Sequence, residues 1–460
     1  MENVNYFLSG GLVESQLKKI YKETLLVLEK VGVEINHEGI LKLLSTYKGI
    51  KVDGNRVYYS TDIVEKFIQK IKSQNAEYSY NRHNTSRFTM VPPYMPLNYM
   101  DIDTEETRLA TAEDLKNAVK ICDAYQMYGP SPIHLQTVPQ HLHQIATFKI
   151  CIENSQMIGG YTLASSMEEA EYMCLMGQIA GREPPYVTLE IPISPLRLNF
   201  HALELIYNNR IKKHNLKGIC LGGGAVPMAG ATAPIFFPGM LIQGMAEALA
   251  AYITPKLIDP EVYSYCSFGG FLFDLKKMTP SFPFPESILY CNAVRQVINY
   301  VIGEMMGVAF GGTIDNIQGM FKLGFSLAVG ALAGAKTFLS AGATSGGAFS
   351  PVHLVIHSDI VSHVEKFMQG FEVKEEGLSF QTIQEGIVSG MFLDHPSTLE
   401  YRKIYLEPKL FFKYENFLQL KEEAKKIAKE KIAQHNFYLE EKIKKELDRI
   451  YQEASDKLVS

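Results

Sequence analysis

VTLEI at residues 187–191 and GICLG at residues 218–222 belong to a series of short apolar runs that decides the fold. Each run ends in glycine or in a polar side chain, and most of the intervals are long enough for a helix. Strands that alternate with helices are typical of βαβ units and a parallel sheet. Seven or eight such units predict a closed (β/α)8 barrel, with its active site at the carboxyl ends of the strands. The runs occupy residues 128–136, 157–163, 187–191, 218–222, 262–268, 308–312 and 337–341.

The chain of 460 residues is longer than one barrel requires, so we expect extensions on both sides of it. Residues 1–125 are predicted to form a helical cap with a small β element, residues 126–410 the barrel, and residues 411–460 a charged C-terminal helix. Two segments are open as the source of the eighth strand, 98–101 and 387–393.

Several local patterns place elements within these regions. Residues 13–31 have the apolar periodicity of a helix, and Gly32 follows as a stop. Residues 57–59 read as a short strand. Thr111 and Asp114 have the spacing of a capping box at the start of a helix.

Composition excludes several classes of protein. Hydrophobic residues make up 46% of the chain and charged residues 21%, which is typical of a globular protein. The net charge of −5 argues against nucleic-acid binding. The six cysteines are scattered without a CxxC pair, which predicts a reduced, cytoplasmic protein. The N-terminus lacks the apolar core of a signal peptide. The weakly charged stretch 218–253 is broken by prolines, so we expect no membrane span.

Common catalytic motifs are missing from the sequence. There is no GxGxxG between a strand and a helix, no GxxxxGK[ST] phosphate loop and no G-x-S-x-G elbow. No cysteine or histidine cluster has zinc spacing. His353 and His357 are one helical turn apart, but the glutamate of an HExxH motif is absent, so polar or capping roles are favoured. Ser350 and Pro351 are a good start for that helix.

The predicted strand ends carry polar groups. Glu190 ends an otherwise apolar strand, where a carboxylate is costly unless it is paired or functional. Either catalysis or a structural salt bridge would account for it. The segment 311–319 ends another strand and contains Gly312, Thr313, Asp315 and Gln318. Its glycines permit close approach by a ligand, or they serve a tight turn.

Aromatic side chains also gather near the strand ends, and tryptophan is absent. Several of them on strand-end loops could line a pocket for an organic cation through cation–π contacts. The alternative for each ring is a place in the core or in a subunit contact. The candidates are Tyr94, Tyr99, Phe268, Phe271 and Phe349.

A collinear series of segments resembles the trimethylamine methyltransferase family, in particular its members that lack pyrrolysine. The resemblance covers nearly the whole chain. The segments are LEKVGVEINHEGILKLL (28–44), VDGNRVYYSTDIVEKFI (52–68), EIPISPL (190–196), the block 227–253, DNIQGMFKLGFSLAVGALAGAKTFLSAG (315–342) and FLDHPSTLEYRKIYLEPKLF (392–411).

The resemblance implies a barrel that moves a methyl group from a methylated amine to the cob(I)alamin of a separate corrinoid protein. This chain would then bind no cofactor tightly itself. Pyrrolysine of the founding enzymes is expected near residues 313–318, where this chain has only standard residues. Because members without pyrrolysine demethylate quaternary amines such as glycine betaine, we expect a quaternary substrate rather than trimethylamine. We also expect a homo-oligomer.

The chemistry of a quaternary amine agrees with this expectation. Co(I) is the nucleophile and the amine leaves neutral, so the barrel needs neither a nucleophile nor a general acid, and positioning dominates catalysis. A substrate carboxylate would need His353, His357 or the N–H groups of Gly346 and Gly347 at a helix N-terminus. The predicted catalytic residues are Glu190, Asp315 and Gln318. The predicted substrate-binding residues are Tyr94, Tyr99, Phe268, Phe271, Gly312, Thr313, Phe349, His353 and His357.

Three alternatives remain open at the level of sequence. The same chemistry could act on another methylated amine. A catalytically silent barrel could bind a betaine-like cation. An unrelated barrel lyase could use Glu190 and Asp315 as acid and base.

Overall fold

A computed structural model gives the fold of the chain. It describes residues 2–82, 88–94, 96–160, 162–164, 166–208, 218–281, 285–304, 308–309, 316–344, 347–373, 379–402, 407 and 409–458.

Helices dominate the described residues and include α1, which continues into one π-helical turn at Val27–Val31. The α-helices are α1 Glu14–Leu26, α2 Glu38–Leu44, α3 Thr61–Arg82, α4 Ala112–Ala124, α5 His143–Asn154, α6 Met167–Ile179, α7 Phe200–Tyr207, α8 Phe237–Ile258, α9 Glu286–Ile302, α10 Ile317–Leu332, α11 Pro351–Met368, α12 Phe380–Ser389, α13 Pro396–Tyr401, α14 Phe417–Ala433 and α15 Glu441–Leu458.

The strands are short, and many have only two or three residues. They are β1 Glu2–Val4, β2 Val33–Glu34, β3 Ile50–Asp53, β4 Arg56–Tyr59, β5 Thr89–Met90, β6 Asn98–Met100, β7 Thr107–Leu109, β8 Thr162–Leu163, β9 Val187–Glu190, β10 Pro192–Ile193, β11 Arg197–Leu198, β12 Ile219–Ala225, β13 Met228–Ala229, β14 Tyr263–Phe268, β15 Phe271–Asp274, β16 Thr279–Ser281, β17 Val308–Ala309, β18 Thr337–Leu339, β19 Ala348–Phe349 and β20 Phe371–Val373.

Among the described residues, two sheets consist of parallel strands only. One has four strands in the order β14-β12-β9-β8, and the other has three in the order β17-β18-β5. A parallel bridge between Gly129 and Ile158 lies outside the named strands. Most of the parallel strands are followed in the chain by a helix, so the predicted alternation of parallel strands with helices is confirmed.

The strand that pairs with β18 is neither of the two segments, 98–101 and 387–393, that the sequence offered for the eighth strand. β5 pairs with β18 in parallel. Residues 98–100 instead form β6, between β7 and β19, and residues 380–389 form a helix. A strand of two residues followed by two prolines has no detectable period, which explains why the sequence did not reveal it.

The N-terminal region confirms several local predictions. Gly32 ends the π-helical turn with a φ of 67°. A Cβ at that position would lie 2.4 Å from the Val57 carbonyl oxygen, so glycine is required there. Thr111 caps α4 and forms the predicted capping box with Asp114.

The charged C-terminal region forms two helices rather than the single predicted one. α14 packs on α11 and α4, and α15 packs on α6 and α5. Each helix buries a narrow stripe of small or aliphatic side chains, such as Ala424 and Ala428 in α14 and Leu447 and Ala454 in α15. The charged repeat continues through both helices, so polarity alone does not mark the break near residue 435.

The core lies between the parallel strands and their helices. α8 is almost wholly buried. All six cysteines are free thiols, and five of them are buried. Within the described residues, no helix has both the length and the apolarity that a membrane crossing requires.

Candidate functional site

Glu190, Gly222 and Tyr265 lie opposite one another on β9, β12 and β14. Residues in register on parallel strands point to the same face of the sheet. Because Gly222 has no side chain, the two outer side chains meet above it. The Tyr265 hydroxyl donates a hydrogen bond of 2.6 Å to Glu190 Oε1.

Two glycines of β12 provide the space for this contact. A Cβ at Gly222 would lie 2.7 Å from the Tyr265 hydroxyl and 2.8 Å from Glu190 Oε2. A Cβ at Gly224 would lie 3.2 Å from Glu190 Oε2 and 3.3 Å from the same hydroxyl. Space, not backbone conformation, therefore requires glycine at Gly222, since its φ is not in the left-handed region.

The Glu190 carboxyl sits in a poorly solvated environment. Desolvation raises its pKa above the ordinary value of 4.5, and the Tyr265 hydroxyl and the Gly224 backbone N–H oppose that rise. Burial, followed by the charge of Glu190, raises the pKa of Tyr265 well above its usual range. Glu190 Oε2 is buried and has no hydrogen-bond partner in the part of the chain that the structure describes.

Tyr94 completes this group of side chains. Burial raises the pKa of its hydroxyl, and the charge of Glu190 adds to the rise. Tyr94 in turn contributes to the raised pKa of Tyr265, so the three groups are mutually close. Almost half of the Tyr94 side chain is exposed. We call Glu190, Tyr265 and Tyr94 the carboxylate–tyrosine cluster.

Two members of the cluster lie at or just beyond the carboxyl ends of parallel strands, and Tyr265 lies within β14. Glu190 is the last residue of β9, and Tyr94 follows β5. This is the edge at which parallel α/β folds place their sites. Sequence analysis identified Glu190 and Tyr94 but missed Tyr265. The sequence shows Tyr265 inside the apolar run 262–268, but only the folded sheet shows that it is level with Gly222.

A second buried carboxylate fixes the loop that follows Glu190. Glu247 of α8 is 1% exposed and accepts hydrogen bonds from Ser194 Oγ at 2.6 Å and from the Leu196 N–H at 2.8 Å. Gln243 Nε2 donates a third bond of 2.8 Å. Desolvation raises the pKa of Glu247, and these three donors oppose the rise. Sequence analysis missed Glu247, although it is the lone carboxylate of an apolar helix.

Phe268 and Phe271 are not brought to Glu190 through any described contact. Phe268 is on the helix-facing side of β14, where a Cβ at Gly244 of α8 would lie 2.5 Å from its ring. It is 1% exposed. Phe271 begins β15 and is partly buried. The side chains of a strand alternate between faces, and Phe268 is three positions from Tyr265, so the two point in opposite directions.

Tyr99 and Phe349 are neighbours in register on β6 and β19, and both are buried. The Arg108 guanidinium lies 5.9 Å from the centre of the Tyr99 ring. The Phe349 ring packs against Gly342, where a Cβ would lie 2.7 Å from it. These contacts place both rings in the hydrophobic core, which is the alternative that the sequence had left open.

His353 and His357 are both buried in α11. Ser350 caps the helix by accepting a hydrogen bond from the His353 N–H, as predicted. The Gly342 N–H donates to His357 Nδ1 at 3.0 Å, so the proton of the neutral ring is on Nε2. His357 thus ties α11 to the loop after β18.

The segment after β17 is described only from Asn316, which caps α10 by accepting a hydrogen bond from the Gly319 N–H. Gln318 is exposed in the first turn of that helix. Gly312, Thr313 and Asp315 lie outside the described residues, so their roles stay predictions. Among the described side chains, no group of three His, Cys, Asp or Glu residues is arranged to hold a metal ion.

Comparisons with known proteins identify relatives along most of the chain. The profile of the family Trimethylamine methyltransferase (MTTB) matches residues 9–458. The chain is similar to glycine betaine methyltransferase of Desulfitobacterium hafniense (strain Y51), with 23% identity over 85% of this chain and 84% of the relative. It is 27% identical to a trimethylamine methyltransferase of Methanosarcina thermophila, over 82% of each chain. The structural alignment with the crystal structure of Methanosarcina barkeri monomethylamine methyltransferase covers 92% of this chain and 93% of that protein, with 10% identity and a TM-score of 0.41.

Replacing Gly222 by alanine is expected to force Glu190 and Tyr265 apart. Overpacking of this kind costs about 1–3 kcal/mol, so the melting temperature measured by calorimetry should fall. Gly269→Ala is the matched control, because a Cβ there meets nothing within 4 Å. Equal melting temperatures for G222A and G269A would contradict the tight packing above Gly222.

The pH dependence of stability should report the burial of Glu190. Its folded-state pKa is raised, so between pH 4.5 and that value the folded state keeps a proton that the unfolded state has lost. Stability contributed by this group therefore falls as the pH rises through that window and is constant above it.

Glu190→Gln cannot ionise and should gain melting temperature relative to the unaltered protein as the pH rises from 4.5. Glu183→Gln, at an exposed position, is the control and should show no such trend. A relative loss of stability by E190Q with rising pH would show that the folded state instead favours the ionised carboxylate.

Proposed function

Because the chain belongs to the Trimethylamine methyltransferase (MTTB) family, we propose that it transfers a methyl group from a quaternary amine similar to glycine betaine to the cob(I)alamin of a cognate corrinoid protein. The observation that carries the choice of substrate is the carboxylate–tyrosine cluster, which combines a buried carboxyl with two phenol rings. The 23% identity to a glycine betaine methyltransferase supports the same choice.

We further propose that the two parallel sheets are arcs of one closed (β/α)8 barrel. The strand sequence β5, the 128–136 run, β8, β9, β12, β14, β17 and β18 supplies eight positions. The Gly129–Ile158 bridge supports the second position beside the run that contains β8. The pairing of β18 with β5 supports a return from the last strand to the first. In such a barrel the cluster lies at the active-site end.

The cluster suits a cation that has no hydrogen to donate. A carboxylate in a poorly solvated site attracts a quaternary nitrogen more strongly than it would in water. Phenol rings attract the same cation through their faces, as in sites that recognise quaternary ammonium ligands. Tyr265 holds Glu190 in place, so the carboxylate meets the substrate without reorganising.

The reaction requires little acid–base catalysis from this chain. The methyl carbon accepts the electron pair of the partner's Co(I), and the electron pair of the breaking C–N bond stays on nitrogen. The amine therefore leaves as a neutral tertiary amine without taking up a proton. Because the positive charge disappears as the bond breaks, catalysis depends on aligning the C–N bond with the nucleophile, and the cluster would set that alignment.

A protonated tertiary amine is the second candidate substrate. Glu190 Oε2 has no hydrogen-bond partner in the described part of the chain, and a protonated amine carries the N–H that would supply one. The 27% identity to a trimethylamine methyltransferase also favours this candidate. Both substrates have a positively charged, methylated nitrogen, and the N–H group of the protonated amine distinguishes its nitrogen from a quaternary one.

Purified protein mixed with chemically reduced cob(I)alamin tests the proposal directly. Glycine betaine, proline betaine, carnitine, choline and trimethylamine are offered one at a time, and formation of methylcob(III)alamin is followed by absorbance. We expect turnover with one quaternary amine and none with trimethylamine. Glu190→Gln should lower kcat/KM by about tenfold to a hundredfold, because a charged partner of the cation is lost, whereas Glu183→Gln should leave it unchanged.

Turnover with trimethylamine alone would favour the second candidate. No methylcob(III)alamin from any amine, with free cob(I)alamin and with a candidate corrinoid protein, would overturn the proposal.

A further inference from the structure

A separate cavity of about 150 Å³ lies between α9, the end of α10 and the N-terminal segment. Its polar lining includes Asn292, Arg295, Gln296 and Asn299, and the backbone of Gly10 and Gly11 forms another side. The end of α10 leads into β18, so the cavity is at the amino ends of the strands. Glu190 is at the carboxyl end of β9, which places the two sites at opposite ends of the strands.

Arg295 is a buried cation that has no carboxylate partner among the residues that the structure describes. It is 7% exposed. Its Nη1 donates to the Gly330 carbonyl at 3.0 Å and its Nη2 to the Ala333 carbonyl at 2.8 Å. Its Nε is buried and unpartnered. Within the described residues no ion pair reaches it, and a buried charge that is not compensated is strongly unfavourable.

Capping a helix does not by itself explain this burial. Arg56 also donates to carbonyls at the end of a helix, with Nε to Val31 and Nη2 to Gly32, both at 2.8 Å. Arg56 does so in a partly exposed position. A guanidinium has five N–H donors, and the two carbonyls occupy only part of those of Arg295. Arg295 is also one of the residues that line the cavity.

The N-terminal segment is fastened over the cavity. The Leu8 N–H donates to the Leu332 carbonyl at 2.8 Å, and the Leu12 N–H donates to Gln296 Oε1 at 2.9 Å. Gln296 Nε2 returns a bond of 3.0 Å to the Gly10 carbonyl. Gly11 has a φ of 87°, and a Cβ there would lie 2.5 Å from Gln296 Oε1. The cavity therefore has one polar wall, and hydrogen bonds hold the N-terminal segment beside it.

We propose that this cavity binds a small oxyanion, the carboxylate or phosphate group of a small molecule, between Arg295 and the amide side chains of Asn292 and Asn299. The anion supplies the counter-charge that Arg295 lacks. Arginine is the side chain best suited to such groups because its planar donors match two oxygens at once. The volume admits a group of a few heavy atoms. Binding should also tighten the segment 8–12, since that segment closes the cavity.

Calorimetric titration with acetate, and separately with inorganic phosphate, tests the proposal at constant ionic strength held with a bulky sulfonate salt. We expect saturable binding of one anion per chain and slower amide hydrogen exchange in residues 8–12. Asn292→Leu replaces an amide of the lining by an apolar side chain, and Arg295→Gln removes the charge. Each should weaken binding at least about tenfold. Arg56→Gln removes an equivalent capping arginine and should bind as the unaltered protein does.

The separate titrations with acetate and with phosphate distinguish which class of oxyanion binds. Binding of acetate alone assigns a carboxylate site, binding of phosphate alone assigns a phosphate site, and binding of both assigns a general oxyanion site. Binding of neither overturns the proposal. Equal binding by N292L and the unaltered protein also overturns it, and that result does not depend on whether R295Q folds.

Discussion

The hydrogen bond from Tyr265 to Glu190 across Gly222 is the contact on which the site depends. It exists because three parallel strands are in register and because the middle strand has no side chain at that level. The short contact distances at Gly222 leave no room for a methyl group. Desolvation raises the pKa of this carboxyl group, and the contact supplies a hydrogen-bond donor that opposes the rise.

The surroundings of Glu190 support this contact from two sides. The glycines of β12 leave the space that Glu190 and Tyr265 occupy. Glu247 of α8 holds the loop after β9 through hydrogen bonds from Ser194 and Leu196. Both carboxyl groups are buried on neighbouring elements, yet their environments differ. Glu247 accepts three hydrogen bonds from the protein, whereas Glu190 Oε2 has none within the described residues, so Glu190 is the one left available to a ligand.

The parallel βα units could be predicted because buried parallel strands give continuous apolar runs, which are visible in a single sequence. The sequence also predicted the capping box at Thr111 and the start of α11 at Ser350, since caps depend on a few adjacent residues. It could not find β5, because two residues carry no period. Glu190 was identifiable as a carboxylate in an apolar strand. Tyr265 was not, because pairing register across strands is a tertiary property.

The aromatic side chains that were predicted to bind substrate lie in different places, and the sequence could not separate them for the same reason. Tyr94 joins the cluster, whereas Tyr99, Phe268 and Phe349 are in the core. A ring near a strand end can point to either face, and only the alternation along the folded strand decides which. The family relationship adds the reaction class. The proposal that the substrate is a cation rests on the carboxylate–tyrosine cluster.

Calorimetric binding of tetramethylammonium, compared with its neutral isostere neopentane or the more soluble neopentyl alcohol, tests the central claim most directly. Shape is nearly the same in these compounds, and charge differs. The account predicts that the cation binds and the neutral compound does not, and that Glu190→Gln removes this preference while Glu183→Gln keeps it. Equal binding of the cation by the unaltered protein and by E190Q would contradict the assignment of the carboxylate–tyrosine cluster as the cation site.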